Sequence, residues 1–256
     1  MKIATWNVNS IRIRIDRLVS WLNTYQPDAI CLQELKVADA DFPTDAIRQA
    51  GYYISMNCQK TYNGVAIISK KEPVDVRSGF ADGIEDTEAR LISATIDNVR
   101  IISAYIPNGQ TTASDKYVIK IEWLGRLKSY LQKVNSDSEK IAVCGDFNIA
   151  PAAIDLARPE LWEGSALYNE ELRREFSLIQ SAGWVDVFRK HNPNPGFYSW
   201  WDYRQLSFPK NNGVRIDHIL ANLSLAELSI GAGIDREARK GKLPSDHAPV
   251  WASFDV

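Results

Sequence analysis

The 256-residue sequence has only three cysteines, three histidines and two methionines, and its charge almost cancels, with 30 basic against 32 acidic residues. Each shortage excludes something. Cys31, Cys58 and Cys144 cannot all pair within one chain, and no two of them have zinc-ligand spacing. A reducing, cytoplasmic setting fits best. No apolar run approaches the ~18–20 residues of a membrane span. The N-terminus turns polar at once, unlike a secretory signal. A net charge of −2 argues against a protein that coats nucleic acid non-specifically, which would be strongly basic. It still allows a positive face beside an acidic pocket. No repeat, low-complexity tract or Gly/Ser linker divides the chain, so one domain over residues 1–256 is expected.

What is present is a core former. Hydrophobic residues make up 45% of the chain, with eight Trp, ten Tyr and eight Phe, too many for disorder. Short β-branched runs dominate. Strands are predicted at Lys2–Val8, Ala29–Gln33, Tyr52–Met56, Gly64–Ser69, Arg90–Ile96, Val99–Tyr105, Ile141–Cys144, Phe197–Trp201, Arg215–Ala221 and Pro249–Phe254. Asp97–Asn98 predicts a tight hairpin. Helices are predicted at Ile11–Tyr25, with Ser10 as N-cap, at about Ser114–Lys133 and at about Asn169–Ala182. Hairpins mixed with isolated helices predict an α/β fold, two mostly antiparallel sheets with helices outside.

Polar groups recur where the apolar runs stop: Trp6-Asn7-Val8-Asn9, Gln33-Glu34, Gly145-Asp146-Phe147-Asn148, Arg215-Ile216-Asp217-His218 and Ser245-Asp246-His247. One such event is ordinary turn chemistry. Their recurrence implies convergence at one end of the sheets. Asp146 and Asn148, two apart, share a face in extended backbone. Taken alone, a Gly-Asp-x-Asn segment is more often a surface turn, and an acidic residue such as Glu34 is usually solvated. Taken together, Asn7, Glu34, Asp146, Asn148 and Asp246 offer carboxylate and amide oxygens without thiolate. That set favours Mg²⁺ or Mn²⁺ over zinc. His191 lies in a loop-like stretch, where solvent exposure is expected. His218 suits packing. His247 is the best candidate for proton chemistry or phosphate contact, with an Asp such as Asp217 to orient it. The run Phe197-Tyr198-Ser199-Trp200-Trp201 would ordinarily be core.

These segments, with Leu32-Gln33-Glu34-Leu35-Lys36 and Tyr105-Ile106-Pro107-Asn108-Gly109, resemble in order the exonuclease III family of apurinic/apyrimidinic (AP) endonucleases, from residue 3 to about 254. The resemblance implies the four-layered α/β sandwich of the deoxyribonuclease I-like superfamily. It implies a Mg²⁺-dependent DNA repair nuclease, with Mn²⁺ able to substitute, that cuts 5′ to an abasic site. Activity at 3′ ends (exonuclease, phosphodiesterase, phosphatase) is implied in varying measure. Glu34 would be the principal metal ligand with Asn7 beside it, and Asp246 in the same cluster. Asp146, Asn148 and His247 are also candidate ligands. Tyr105 and Asn148 would bond the scissile phosphate, and His247, oriented by Asp217, would stabilise the transition state. Either Asp146 or His247 is the base. Lys36, Arg90, Asn108, Arg204 and Arg215 are candidate DNA contacts. Trp200 and Phe188 would wall a pocket for the abasic sugar, whose extrusion costs less than that of a normal nucleotide. The partner is double-stranded DNA with abasic sites or blocked or recessed 3′ ends, and a monomer is expected. Residues 152–171 and 205–214 carry no motif. A phosphatase for small molecules or lipids on the same fold, or a silent binding module, are the competing readings. The Trp200 segment argues against the first, and the full set Glu34, Asp146, Asn148 and His247 against the second.

Overall fold

The computed structural model describes residues 1–136 and 138–256. In chain order the strands are β1 (Lys2–Asn7), β2 (Ala29–Gln33), β3 (Tyr53–Asn57), β4 (Val65–Ser69), β5 (Val74–Ser78) and β6 (Leu91–Ile96). They continue with β7 (Val99–Tyr105), β8 (Lys140–Asp146), β9 (Trp184–Asp186), β10 (Asp217–Asn222), β11 (Ser229–Ile234) and β12 (Val250–Phe254). The α-helices are α1 (Ile11–Tyr25), α2 (Thr44–Gln49), α3 (Asp115–Val134), α4 (Glu170–Ser181), α5 (Val187–His191) and α6 (Leu223–Ala226).

Two six-stranded sheets result, ordered β11-β12-β1-β2-β4-β3 and β5-β6-β7-β8-β10-β9. Each holds one parallel pair, β1 with β2 and β7 with β8, and the remaining pairs are antiparallel. Parallel neighbours need a crossover, and here α1 and α3 provide it. Between the sheets lies one apolar layer that includes Ile3, Cys31, Ile67, Ile101, Cys144 and Ile219. The helix α1 buries Ile11, Leu18, Trp21 and Leu22 against the outer face of the first sheet. On the second sheet, α3 and α4 bury Leu124, Leu127, Leu131, Leu172 and Phe176. The order is helix, sheet, sheet, helix, the α/β sandwich expected.

At Asp97 and Asn98 both φ angles are positive (53° and 65°), as a two-residue hairpin requires. Gly145 of β8 lies opposite Ala104 of β7. A Cβ there would overlap the Ala104 carbonyl oxygen, so the strand end that carries Asp146 needs glycine.

Some expectations are corrected. Ser10 precedes α1 but its side chain makes no cap bond; its φ of 83° aims it elsewhere. Phe197–Trp201 is not a strand. Tyr198 and Trp201 instead pack into a small cluster of their own with Ala248. His191 ends α5, half-buried, with Nε2 3.0 Å from the Ser229 hydroxyl, so it is no free loop residue. Among the described residues no helix is long and apolar enough to cross a membrane.

Candidate active site

The carboxyl ends of both parallel pairs open on the same end of the sandwich. Asn7 closes β1, Glu34 follows β2, Tyr105 closes β7 and Asp146 closes β8. Antiparallel β10 begins at the same level, and its Asp217 lies directly opposite Asp146. The Ser245-Asp246-His247 segment arrives just before β12 and is held by its own bonds. Ser245 Oγ donates to the Asn7 carbonyl at 2.7 Å, and Trp6 Nε1 donates to the His247 carbonyl at 3.1 Å.

One ligand atom from each of Glu34, Asp146 and His247 lies within 4.8 Å of the others. The buried Asn7 amide donates to Glu34 Oε1 at 2.8 Å and to Asp146 Oδ2 at 2.9 Å, tying the two carboxylates together. The Tyr105 hydroxyl donates to Glu34 Oε1 at 2.9 Å. Lys36 lies 2.6 Å from Glu34 Oε2. Burial alone would raise the Glu34 pKa, but Lys36, Asn7 and the charge on His247 outweigh it and hold the carboxyl below its ordinary range. Asp146 is pushed up to about 7, first by burial and then by the charges of Asp217 and Glu34, against His247 and Asn7. For His247 burial works against the charged ring, but Asp217, with Oδ2 2.9 Å from Nδ1, and Asp146, 3.8 Å from Nε2, lift it to about 10. Two carboxylates flanking one imidazole make it a cation and a donor.

Asn148 is held on every side. Its N–H donates to Asp146 Oδ1 at 2.9 Å, its Nδ2 to the Ile106 carbonyl at 3.0 Å, and its Oδ1 accepts from Asn108 at 3.0 Å. Asp246 stands one step back. Asn9 Nδ2 donates to one of its oxygens and Trp200 Nε1 to the other, each at 2.9 Å. Asn9, which the sequence reading passed over, thus links Asp246 to Lys36, whose Nζ donates to Asn9 Oδ1 at 2.7 Å. Its signal was present: two asparagines, two residues apart, leaving one strand.

The rim residues divide. Asn108 and Arg204 are exposed, with Arg204 paired to Asp202 at 2.7 Å, while Lys36 is half-buried with its ammonium turned in to Glu34 and Asn9. Arg90 is fixed, its guanidinium on Glu88 at 2.7 Å and 4.8 Å above the centre of the Tyr105 ring. Arg215 corrects the sequence reading. It is 1% exposed and cannot meet a DNA phosphate. Its Nε lies 2.7 Å from Asp155 and one terminal nitrogen 2.7 Å from Asp186. Arg189 shares Asp155. Phe188 corrects it too. Its ring is 1% exposed, packed in the layer between the sheets and under Arg215, so it walls no open pocket. Trp200 is half-buried beside the site, and Trp162 meets it edge-on at 5.8 Å. Trp162 belongs to the segment that carried no motif.

The donor set suits a small hard cation. Two carboxylates converge, already bridged by an amide, and no thiolate is near. Such a fold and site define a metal-dependent phosphodiester hydrolase. A family model described as the endonuclease/exonuclease/phosphatase family matches residues 4–247. The chain is 37% identical to an exodeoxyribonuclease III of Haemophilus influenzae, over 99% of this chain and 100% of that protein. It is 40% identical to a solved AP endonuclease of Archaeoglobus fulgidus, TM-score 0.96, and 39% identical to a solved 3′-5′ exonuclease of Neisseria meningitidis, TM-score 0.97, each covering 100% of both chains. The chain belongs to the exonuclease III family of AP endonucleases and exonucleases. It is a Mg²⁺-dependent phosphodiester hydrolase of that type.

Proposed function

We propose that the substrate is double-stranded DNA carrying abasic sites or blocked or recessed 3′ ends. The enzyme cuts 5′ to the abasic sugar, leaving a 3′-hydroxyl and a 5′-deoxyribose phosphate, and trims 3′ ends. The observation that carries this is the Glu34–Asp146–His247 cluster lying beside a half-buried Trp200 that is bonded to Asp246. A charged site for a phosphate next to an aromatic wall for a bare sugar suits an abasic nucleotide. The solved relatives named for AP-endonuclease and 3′-5′ exonuclease action support both halves. Chain-wide likeness and the absence of a dividing linker support a single domain. Three free cysteines support a cytoplasmic setting.

Glu34 and Asp146, with Asn7 and Asp246 close by, would hold Mg²⁺, which supplies Lewis-acid stabilisation of the phosphate and leaving oxygen. The chain's own groups do the rest. Asp146, with a pKa near neutrality, takes the proton of the attacking water. His247, kept cationic by Asp217, donates through Nε2 to a phosphate oxygen and acts as an electrostatic stabiliser, not a base. The Tyr105 hydroxyl, whose pKa burial and Glu34 raise well above the ordinary, stays protonated as a donor. Asn148 adds an amide donor held in place before substrate arrives.

The test uses a labelled duplex with one central tetrahydrofuran abasic analogue, beside an intact duplex with a recessed 3′ end. Each is run with Mg²⁺ and with EDTA. Single cleavage at the analogue, abolished by EDTA, is expected. Laddering from the 3′ end without internal cutting would make the protein a 3′-processing exonuclease. Inactivity on both would refute the DNA reading.

A further inference from the structure

Lys120 lies on α3, and the whole residue is 0% exposed. A buried ammonium usually meets a carboxylate. This one donates instead to three backbone carbonyls: Ala166 at 2.6 Å, Asn148 at 2.7 Å and Asn108 at 3.3 Å. Three N–H bonds meet three acceptors, so the group is satisfied. The acceptors belong to three separate segments: the turn after β7, the turn after β8 and the stretch that leads into α4. Two of those turns carry Asn108 and Asn148, which are bonded to each other at 3.0 Å.

Asn148 has a φ of 51°. Asparagine adopts that left-handed conformation more readily than other side-chain-bearing residues. Here the Asp146 carboxylate holds its N–H and Lys120 holds its carbonyl. The backbone is thus pinned at both ends, and the side chain is held by its own bonds to the Ile106 carbonyl and Asn108. A hydrophobic stem in place of Lys120 would fill the same space but take the donor from all three carbonyls, those of Ala166 and Asn148 in buried bonds.

We propose that Lys120 is a positioning residue of the phosphodiester-cleaving site, setting Asn148 and Asn108 through their main-chain carbonyls without touching substrate. This rests on the reading that Asn148 bonds the scissile phosphate. A purely structural lysine would lower stability and leave turnover alone. A positioning lysine lowers turnover, and does so through Asn148.

The test is a double-mutant cycle of Lys120→Met and Asn148→Ala on the tetrahydrofuran duplex, with kcat, KM and Tm recorded for each protein. Lys120→Met is expected to lower kcat by roughly 10–100-fold, the range for a supporting partner, with KM little changed. In the double variant kcat should match that of Asn148→Ala within about threefold, since residues acting as a unit are not additive. Lys128→Met is the control. It lies on the same helix and pairs with Glu175 at 2.5 Å, away from the site. It should lower Tm and leave kcat unchanged. Should Lys120→Met fail to fold, Lys120→Gln replaces it: its shorter stem carries two N–H donors for three carbonyls, so kcat should still fall. Wild-type kcat in either folded Lys120 variant, with Asn148→Ala impaired, overturns the proposal alone. So do losses that multiply in the double variant. Wild-type kcat in Asn148→Ala overturns the reading of Asn148 and the proposal with it.

Discussion

Replacing Arg215 by Met separates two accounts of that residue. As a DNA contact it would lower affinity and the salt dependence of binding. As the buried cation of the structure it should instead lower stability. The magnitude follows from what is left behind. Arg215 bridges Asp155 and Asp186, which are 1% and 5% exposed, and its NH1 lies 3.0 Å from His218 Nδ1. Arg189 still serves Asp155 in the variant, so Asp186 is the carboxylate that loses its cation, keeping the Arg189 backbone N–H. Breaking a buried pair in this way typically costs about 3–5 kcal/mol. At ~2–4 °C per kcal/mol for a chain of this size, Tm falls by roughly 6–20 °C.

The pH dependence gives a second reading of the same change. In the wild type, burial and the adjacent Arg215 lower His218 to about 4, from 6.5. The unfolded chain binds more protons in that interval, so stability falls as pH drops from 6.5 toward 4, by roughly 3 kcal/mol at full extent. Asp186 has the opposite history. Burial would raise its pKa, but Arg215 and His218 hold it below 3.8, so its contribution is present above that value and lost below it. Without Arg215 both groups take up protons more readily in the folded state. The variant is then relatively stabilised by acid, and the stability gap to wild type narrows between pH 7 and pH 5. Urea denaturation at the two pH values measures this. A loss under 1 kcal/mol, a gap that does not narrow, or a flattened salt slope for DNA binding would each refute the reasoning.

Other perturbations probe the site directly. Glu34→Gln should raise the Mg²⁺ concentration for half-maximal activity by at least ~10-fold, the loss seen even for outer-shell partners; an unchanged Mg²⁺ titration would remove Glu34 as a ligand. Activity should fall as pH drops through about 7, where Asp146 takes its proton. Because cation and proton compete for that carboxylate, raising Mg²⁺ should move the acid limb to lower pH; a limb that stays put counts against the assignment. Trp200→Ala should lower the ratio of abasic-site cutting to 3′-end trimming by at least ~10-fold, about 1.4 kcal/mol. Trp200→Phe keeps the ring, loses only the Asp246 bond and should restore most of that ratio; equal ratios in both variants would exclude the aromatic wall.

What could be read ahead of the structure follows from how local each signal is. The helix α1 was legible because its apolar stripe is written in consecutive turns, and β2 and β4 because they are short apolar runs closed by one polar residue. Edge strand β5 was missed because all of Val74–Ser78 is exposed, which leaves no buried face to betray a period. β9 has three residues, too few to show any period. The site was legible for a different reason. Strands of a parallel pair run the same way, so the polar residues that close them lie side by side, Asn7 by Gln33 and Tyr105 by Asp146, and the packing of the two sheets brings the pairs together. That constraint reaches Asn7, Glu34, Tyr105 and Asp146 wherever else the chain wanders. It does not reach Arg215, whose partners lie 60 and 29 residues away in sequence. Nor does it reach Lys120, whose acceptors are carbonyls that any residue would supply. A charge neutralised by distant chain looks like a surface charge until the fold is known. The sequence therefore shows where chemistry gathers but not which cations face solvent, and only burial separates a DNA contact from a structural one.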